Sequence, residues 1–152
     1  MLAAVSTPDL ESALSGLLTE TRALAQQTRL FHHNANGPLV QALCDLFERQ
    51  YGELERGAAK IAATMEALGY DLPPNPEVQL DETRDTGAMI RVLADGHTRA
   101  QMAAAVVVRA ARDVGDRPAG ALGLSRADVH QRTAAMYRVV QRFQPSGQQE
   151  KK

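Results

Sequence analysis

The stretch that decides the fold is LVQALCDLFERQYGELERGAAKIAATMEALG, Leu39–Gly69. Apolar side chains recur at Leu39, Leu43, Phe47, Tyr51, Leu54, Ala58, Ile61, Met65 and Leu68, every third or fourth residue, and Gly69 closes the run. That spacing marks one buried stripe on a helix of about eight turns. Immediately upstream, Asn36-Gly37-Pro38 combines a left-handed-tolerant asparagine, a glycine and a proline, which stops one helix and seeds the next. Before that turn, Leu10, Leu14, Leu17, Leu24 and Phe31, widened by Leu18 and Leu30, predict a first helix to about Ala35, antiparallel to the second. Its start is read at Thr7-Pro8-Asp9, with Thr7 as N-cap and proline at the first helical position.

Downstream of Gly69 the periodicity vanishes from Tyr70 to Asp85, and Pro73, Pro74 and Pro76 exclude a regular helix through the first half of that segment. A 31-residue helix is about 46 Å long, and 16 extended residues reach at most roughly 53–58 Å. The segment can therefore run back along the second helix and set the third parallel to it, with a short helical turn expected near Gln79–Arg84. Met89, Ile90, Leu93, His97, Ala100, Ala104, Val107, Ala111 and Val114 mark the third helix, from about Thr86 to Gly115, with an alanine-rich middle that permits close approach. After Asp116-Arg117-Pro118 and a glycine-softened stretch, Ala119–Leu124, the residues Val129, Thr133, Met136, Val140 and Phe143 mark a fourth. The expectation is an all-α, ferritin-like four-helix bundle with one long crossover between helices 2 and 3. An N-terminal arm (1–8), one helical domain (9–144) and a C-terminal tail (145–152) complete the division of the chain.

Composition agrees with a single globular domain: 152 residues, 44% hydrophobic, 23% charged, net charge −1. That balance lacks the basic excess of proteins that bind nucleic acid by charge alone. Cys44 is the single cysteine, so neither an intrachain disulfide nor a zinc site made of cysteines alone is available. The N-terminus does not read as a signal peptide and no run is long enough to span a membrane, so a cytoplasmic protein without a membrane partner is expected.

A di-iron centre inside one bundle would call for Glu-x-x-His pairs, and the sequence contains none. Instead Phe31-His32-His33-Asn34-Ala35-Asn36-Gly37-Pro38, followed by Leu43, Leu46-Phe47-Glu48, Gln50-Tyr51, Glu53-Leu54, Ile61-Ala62 and Leu68-Gly69, resembles the Dps family of mini-ferritins. His130-Gln131-Arg132 and Met136 are similar to that family's H-E-K-x-x-W-M near the start of its last helix, with Ala135 in place of the tryptophan. The resemblance extends over roughly Leu10 to Phe143. It implies a homo-oligomeric shell of twelve subunits that oxidises ferrous iron with peroxide, stores the ferric product and protects against oxidative stress and DNA damage.

The resemblance also implies a ferroxidase site shared by two subunits, two histidines from one and an aspartate and a glutamate from the next. Carried over by position, these fall on His32, Cys44, Ala59 and Ala63, so only the first ligand is kept. Alanine offers no donor atom, and the site is read as largely lost. Glu48 lies one turn beyond Cys44 on the same face, which leaves His32, Cys44 and Glu48 as a substitute metal set. A thiolate there favours zinc or copper over iron. The plainer readings are an interface histidine hydrogen-bonded to a neighbour, a small core residue and a solvated glutamate. His33 faces elsewhere, and His97 and His130 are expected at the edges of helix packing.

Further readings stay open. The shell is a ferroxidase with substitute ligands, a non-catalytic structural cage, a cage that binds DNA weakly through its tails, or one that co-assembles with an intact paralogue. A rival is a helix-turn-helix DNA-binding protein, with the turn at Leu122-Gly123-Leu124, Ser125 capping the recognition helix and Arg132 and Arg138 facing DNA.

Overall fold

A computed structural model describes residues 8–143. They form four α-helices, α1 (Leu10–Asn34), α2 (Val40–Ala67), α3 (Thr86–Val114) and α4 (Arg117–Arg142), with no strand among the described residues. Three helices open on an aspartate whose carboxylate accepts from a backbone N–H three residues on: Asp9 from Ser12, Asp85 from Ala88 and Asp116 from Ala119. Each cap satisfies one of the donors a helix start leaves without an intrahelical partner. Asp9, not Thr7, therefore caps α1; Thr7 lies outside the described residues, as do most of the arm and the tail. Gly69 and Gly115 adopt left-handed backbone (φ 77° and 71°) at the ends of α2 and α3, where an L side chain would be strained.

The crossover from Tyr70 to Asp85 lies against α1, and the register of its bonds gives its direction. Arg22 donates to the Pro73 carbonyl, Gln26 to that of Pro76, Gln27 to that of Asp81 and Asn36 to that of Arg84. Both residue numbers climb together, so the crossover runs parallel to α1 and delivers α3 to the end of the bundle where α2 began. α3 is thus parallel to α2, as its length allowed. The helical turn expected near Gln79–Arg84 does not form. There the Asp81 N–H and C=O are both taken by Gln27, while the Asp81 and Thr83 side chains accept from the Thr83 and Asp85 amides. Local side-chain bonds have replaced the helical ones.

α4 begins well before Val129, the first residue that marked it, and takes in the glycine-softened stretch Ala119–Leu124. It starts at Arg117, directly after Gly115-Asp116, with proline in its first turn, and runs unbroken through Gly120 and Gly123. Gly123 marks close packing rather than a break: a Cβ there would stand 2.9 Å from a Val108 methyl and 3.1 Å from the Ala104 carbonyl of α3. The helix-turn-helix reading is thereby overturned, because its turn at Leu122–Leu124 is continuous helix.

Two apolar clusters fill the bundle. One gathers Leu10, Leu14, Leu17, Ile61, Met65, Val107 and Ala111 at the end where α1 starts. The other gathers Phe31, Leu43, Phe47, Leu54, Met89, Leu93 and Tyr137 toward the opposite end. Backbones approach closely between α3 and α4, and α1 packs on both α2 and α3; α2 and α4 meet at few points.

Candidate metal site and the buried polar layer

The Asn36-Gly37-Pro38 turn folds the first turns of α2 back beside the last turn of α1. His32 and Cys44 thereby become neighbours: the thiol Sγ lies 3.8 Å from the His32 carbonyl oxygen and donates to it, and both side chains are half-buried. Glu48, one turn along α2, is exposed. His33 is exposed, and its ring stands edge-on to that of His32, 5.5 Å between centroids, nearer than the divergence expected of it. Among the described residues no three His, Cys, Asp or Glu side chains gather in one chain as a metal-holding group. A single chain brings His32 and Cys44 together but does not close a three-ligand set with Glu48.

Ala59 and Ala63 are both exposed on the outward side of α2. Ala59 borders a groove of about 430 Å³ between α1, α2 and the crossover, together with Arg22, Arg29, Tyr51, Glu55 and Asn75. The Arg29 guanidinium sits 5.9 Å from the Tyr51 ring centroid, a cation–π distance, and Glu55 beside Tyr51 raises its phenol above the usual range. The donors here are guanidinium, amide and phenol groups, with Glu55 the single carboxylate. As they stand, these residues do not fit a carboxylate-bridged iron pair.

The densest chemistry lies inside the bundle, where periodicity alone carries little warning of it. His97 and His130, expected at the edges of packing, are both fully buried, with Nδ1 atoms 2.9 Å apart. At that distance one ring donates its Nδ1–H to the bare Nδ1 of the other, and with burial keeping both neutral the two are opposite tautomers. Burial pushes each pKa down to about 3, and the neighbouring His130 ring and the Arg126 cation add to the shift at His97 and at His130 respectively. Arg126 is itself buried, paired in a two-pronged bond with Glu53 of α2 at 2.8 and 3.2 Å. Tyr137 completes the layer against His97, and burial pushes its phenol up. His97 Nε2, His130 Nε2, Arg126 Nε and the Tyr137 hydroxyl are buried without a partner among the described residues. The signal available in the sequence was position: His97 stands on the apolar stripe of α3 between Leu93 and Ala100, and His130 stands one turn beyond Arg126.

Arg126 also bears on the discarded helix-turn-helix reading, since the cation beside the supposed turn points into the bundle, against Glu53. No helix among the described residues is long and apolar enough to cross a membrane.

No family model matches the sequence, and no curated protein matches it either. Solved structures do match. The Dps protein of Vibrio cholerae O1, described as a member of a broad superfamily of ferritin-like diiron-carboxylate proteins, is 21% identical, with 86% of this chain and 87% of that chain covered at a TM-score of 0.78. Dps from Thermosynechococcus elongatus is 16% identical, with 93% and 94% covered and a TM-score of 0.77. Dps from Staphylococcus aureus is 14% identical, with 87% and 94% covered and a TM-score of 0.78. The overlap takes in most of each chain at TM-scores of 0.77–0.78, and the chain has the Dps fold, a ferritin-like four-helix bundle.

Proposed function

We propose that this chain is a Dps-type mini-ferritin subunit that assembles with copies of itself into a closed cytoplasmic shell of about twelve, sequesters iron and protects against oxidative stress, with its inter-subunit ferroxidase site largely lost. The observation that carries the loss is the pair of exposed methyl groups at Ala59 and Ala63, the positions onto which the family's two carboxylates fall. Iron in either oxidation state is held by oxygen and nitrogen donors, and a methyl group supplies none. What remains is His32, whose backbone carbonyl accepts from the Cys44 thiol, and Glu48 one helical turn beyond Cys44; a thiolate with an imidazole suits zinc or copper better than iron. A neighbouring subunit supplies carboxylates at positions 59 and 63 only if it differs from this chain there, which makes co-assembly with an intact paralogue one route to activity. Weak DNA binding through the tails is the lesser reading, supported by Lys151 and Lys152 multiplied over many copies.

Ferrous oxidation by the purified assembly, with peroxide and with dioxygen, tests the loss. The expected rate equals that of buffer, and the triple change Cys44→His, Ala59→Asp, Ala63→Glu raises it at least tenfold. A wild-type rate well above buffer overturns the reading.

A further inference from the structure

The buried polar layer around His97 and His130 has no part in the function proposed above, yet it holds the most constrained titratable groups among the described residues. Two imidazoles, one from α3 and one from α4, share a single hydrogen bond at 2.9 Å in full burial. The charged and titratable groups that bear on them are Glu53 from α2 and Arg126 and Tyr137 from α4. α1 brings none to bear: its buried Thr21 and Thr28 bond back to their own helix at the Leu17 and Leu24 carbonyls. Glu53 is already engaged by Arg126, so no free carboxylate waits to receive a positive imidazole.

We infer that the His97–His130 pair is a proton-operated latch, holding α3 against α4 while both rings are neutral and releasing the seam when acid supplies two protons. The chemistry is stepwise. In the neutral pair one ring donates Nδ1–H and has a bare Nε2; the other accepts at Nδ1 and carries its proton on Nε2. The first added proton goes to the bare Nε2, which keeps the bridge but buries a cation beside Arg126. The second goes to the accepting Nδ1, so that two N–H groups face each other and the bridge is gone.

The sign follows from linkage. Both rings have folded-state pKa values pushed down to about 3, against an ordinary value of 6.5, so below about pH 6.5 the unfolded chain binds more protons than the folded one. Stability from the pair is complete above that pH and is lost as pH falls toward 3. With two protons taken up on opening, the folded-to-unfolded ratio falls by up to about a hundredfold per pH unit in that window.

Two measurements test the latch. Denaturant unfolding of the protein between pH 7 and pH 4 is compared with that of the double variant His97→Asn, His130→Asn, whose amides can keep a hydrogen bond and cannot titrate. The expected result is a steep decline in the wild type and a slope shallower by close to two protons in the variant, whatever its stability at pH 7. Equal slopes overturn the inference. Nitrogen NMR of the imidazoles in the unaltered protein gives an answer even if the variant fails to fold. Both buried rings are expected to stay neutral for as long as the bundle is intact, and either ring titrating above pH 5 in the folded state overturns the latch.

Discussion

Gly57 shows what one missing methyl group does in this molecule. A Cβ there would overlap the Arg126 guanidinium, which cannot swing aside without giving up its two-pronged bond to Glu53 in a buried site. Gly57→Ala is therefore expected to cost about 1–3 kcal/mol despite the better helix propensity of alanine. In an Arg126→Ala background the same change should turn favourable by up to about 1 kcal/mol, because only propensity remains. Denaturant titrations of the four proteins of that cycle check the change of sign. The candidate metal residues were legible in the sequence as identities and spacings, down to the neighbourhood of His32 and Cys44. The polar layer was not, because a histidine at one helical position looks alike whether its stripe faces a partner's imidazole or the edge of a groove. Only the pairing of α3 with α4 in three dimensions sets His97 against His130.

Helix boundaries teach the same lesson at the next scale. α2 and α3 were read closely from periodicity and their closing glycines. α4 was read without its first turns, since Pro118, Gly120 and Gly123 look like breakers when taken singly. Proline costs nothing in a first turn, and Gly123 is small because the α3 backbone is close. With Asp116 as its true cap, Asp116→Ala should lower stability by about 1 kcal/mol, and Asp85→Ala at the start of α3 by a similar amount. The two caps are at opposite ends of the bundle, so the double variant should show the sum within about 0.5 kcal/mol by thermal or denaturant unfolding.

Over the whole molecule the crossover decides the topology, and Gln27 is its firmest anchor. The Gln27 side chain both donates to and accepts from Asp81, each bond 2.8 Å long. Gln27→Ala is expected to raise amide hydrogen exchange across residues 76–84 at least tenfold while lowering global stability by only about 1–2 kcal/mol. Exchange unchanged in that segment would mean that the other anchors suffice. The long, structureless connection was legible from its prolines, and its direction from arithmetic on lengths. Its bonds to α1 were not, because they depend on backbone carbonyls that have no signature in the sequence. The uneven seams of the bundle have a mechanical consequence. α3 and α4 are in near backbone contact through alanine and glycine, whereas α2 reaches α4 mainly through long side chains, Phe47 to Tyr137 and Glu53 to Arg126. The α2–α4 side is therefore the seam with least to hold it shut, and thermal breathing is expected to open it first, giving solvent its earliest access to the interior there.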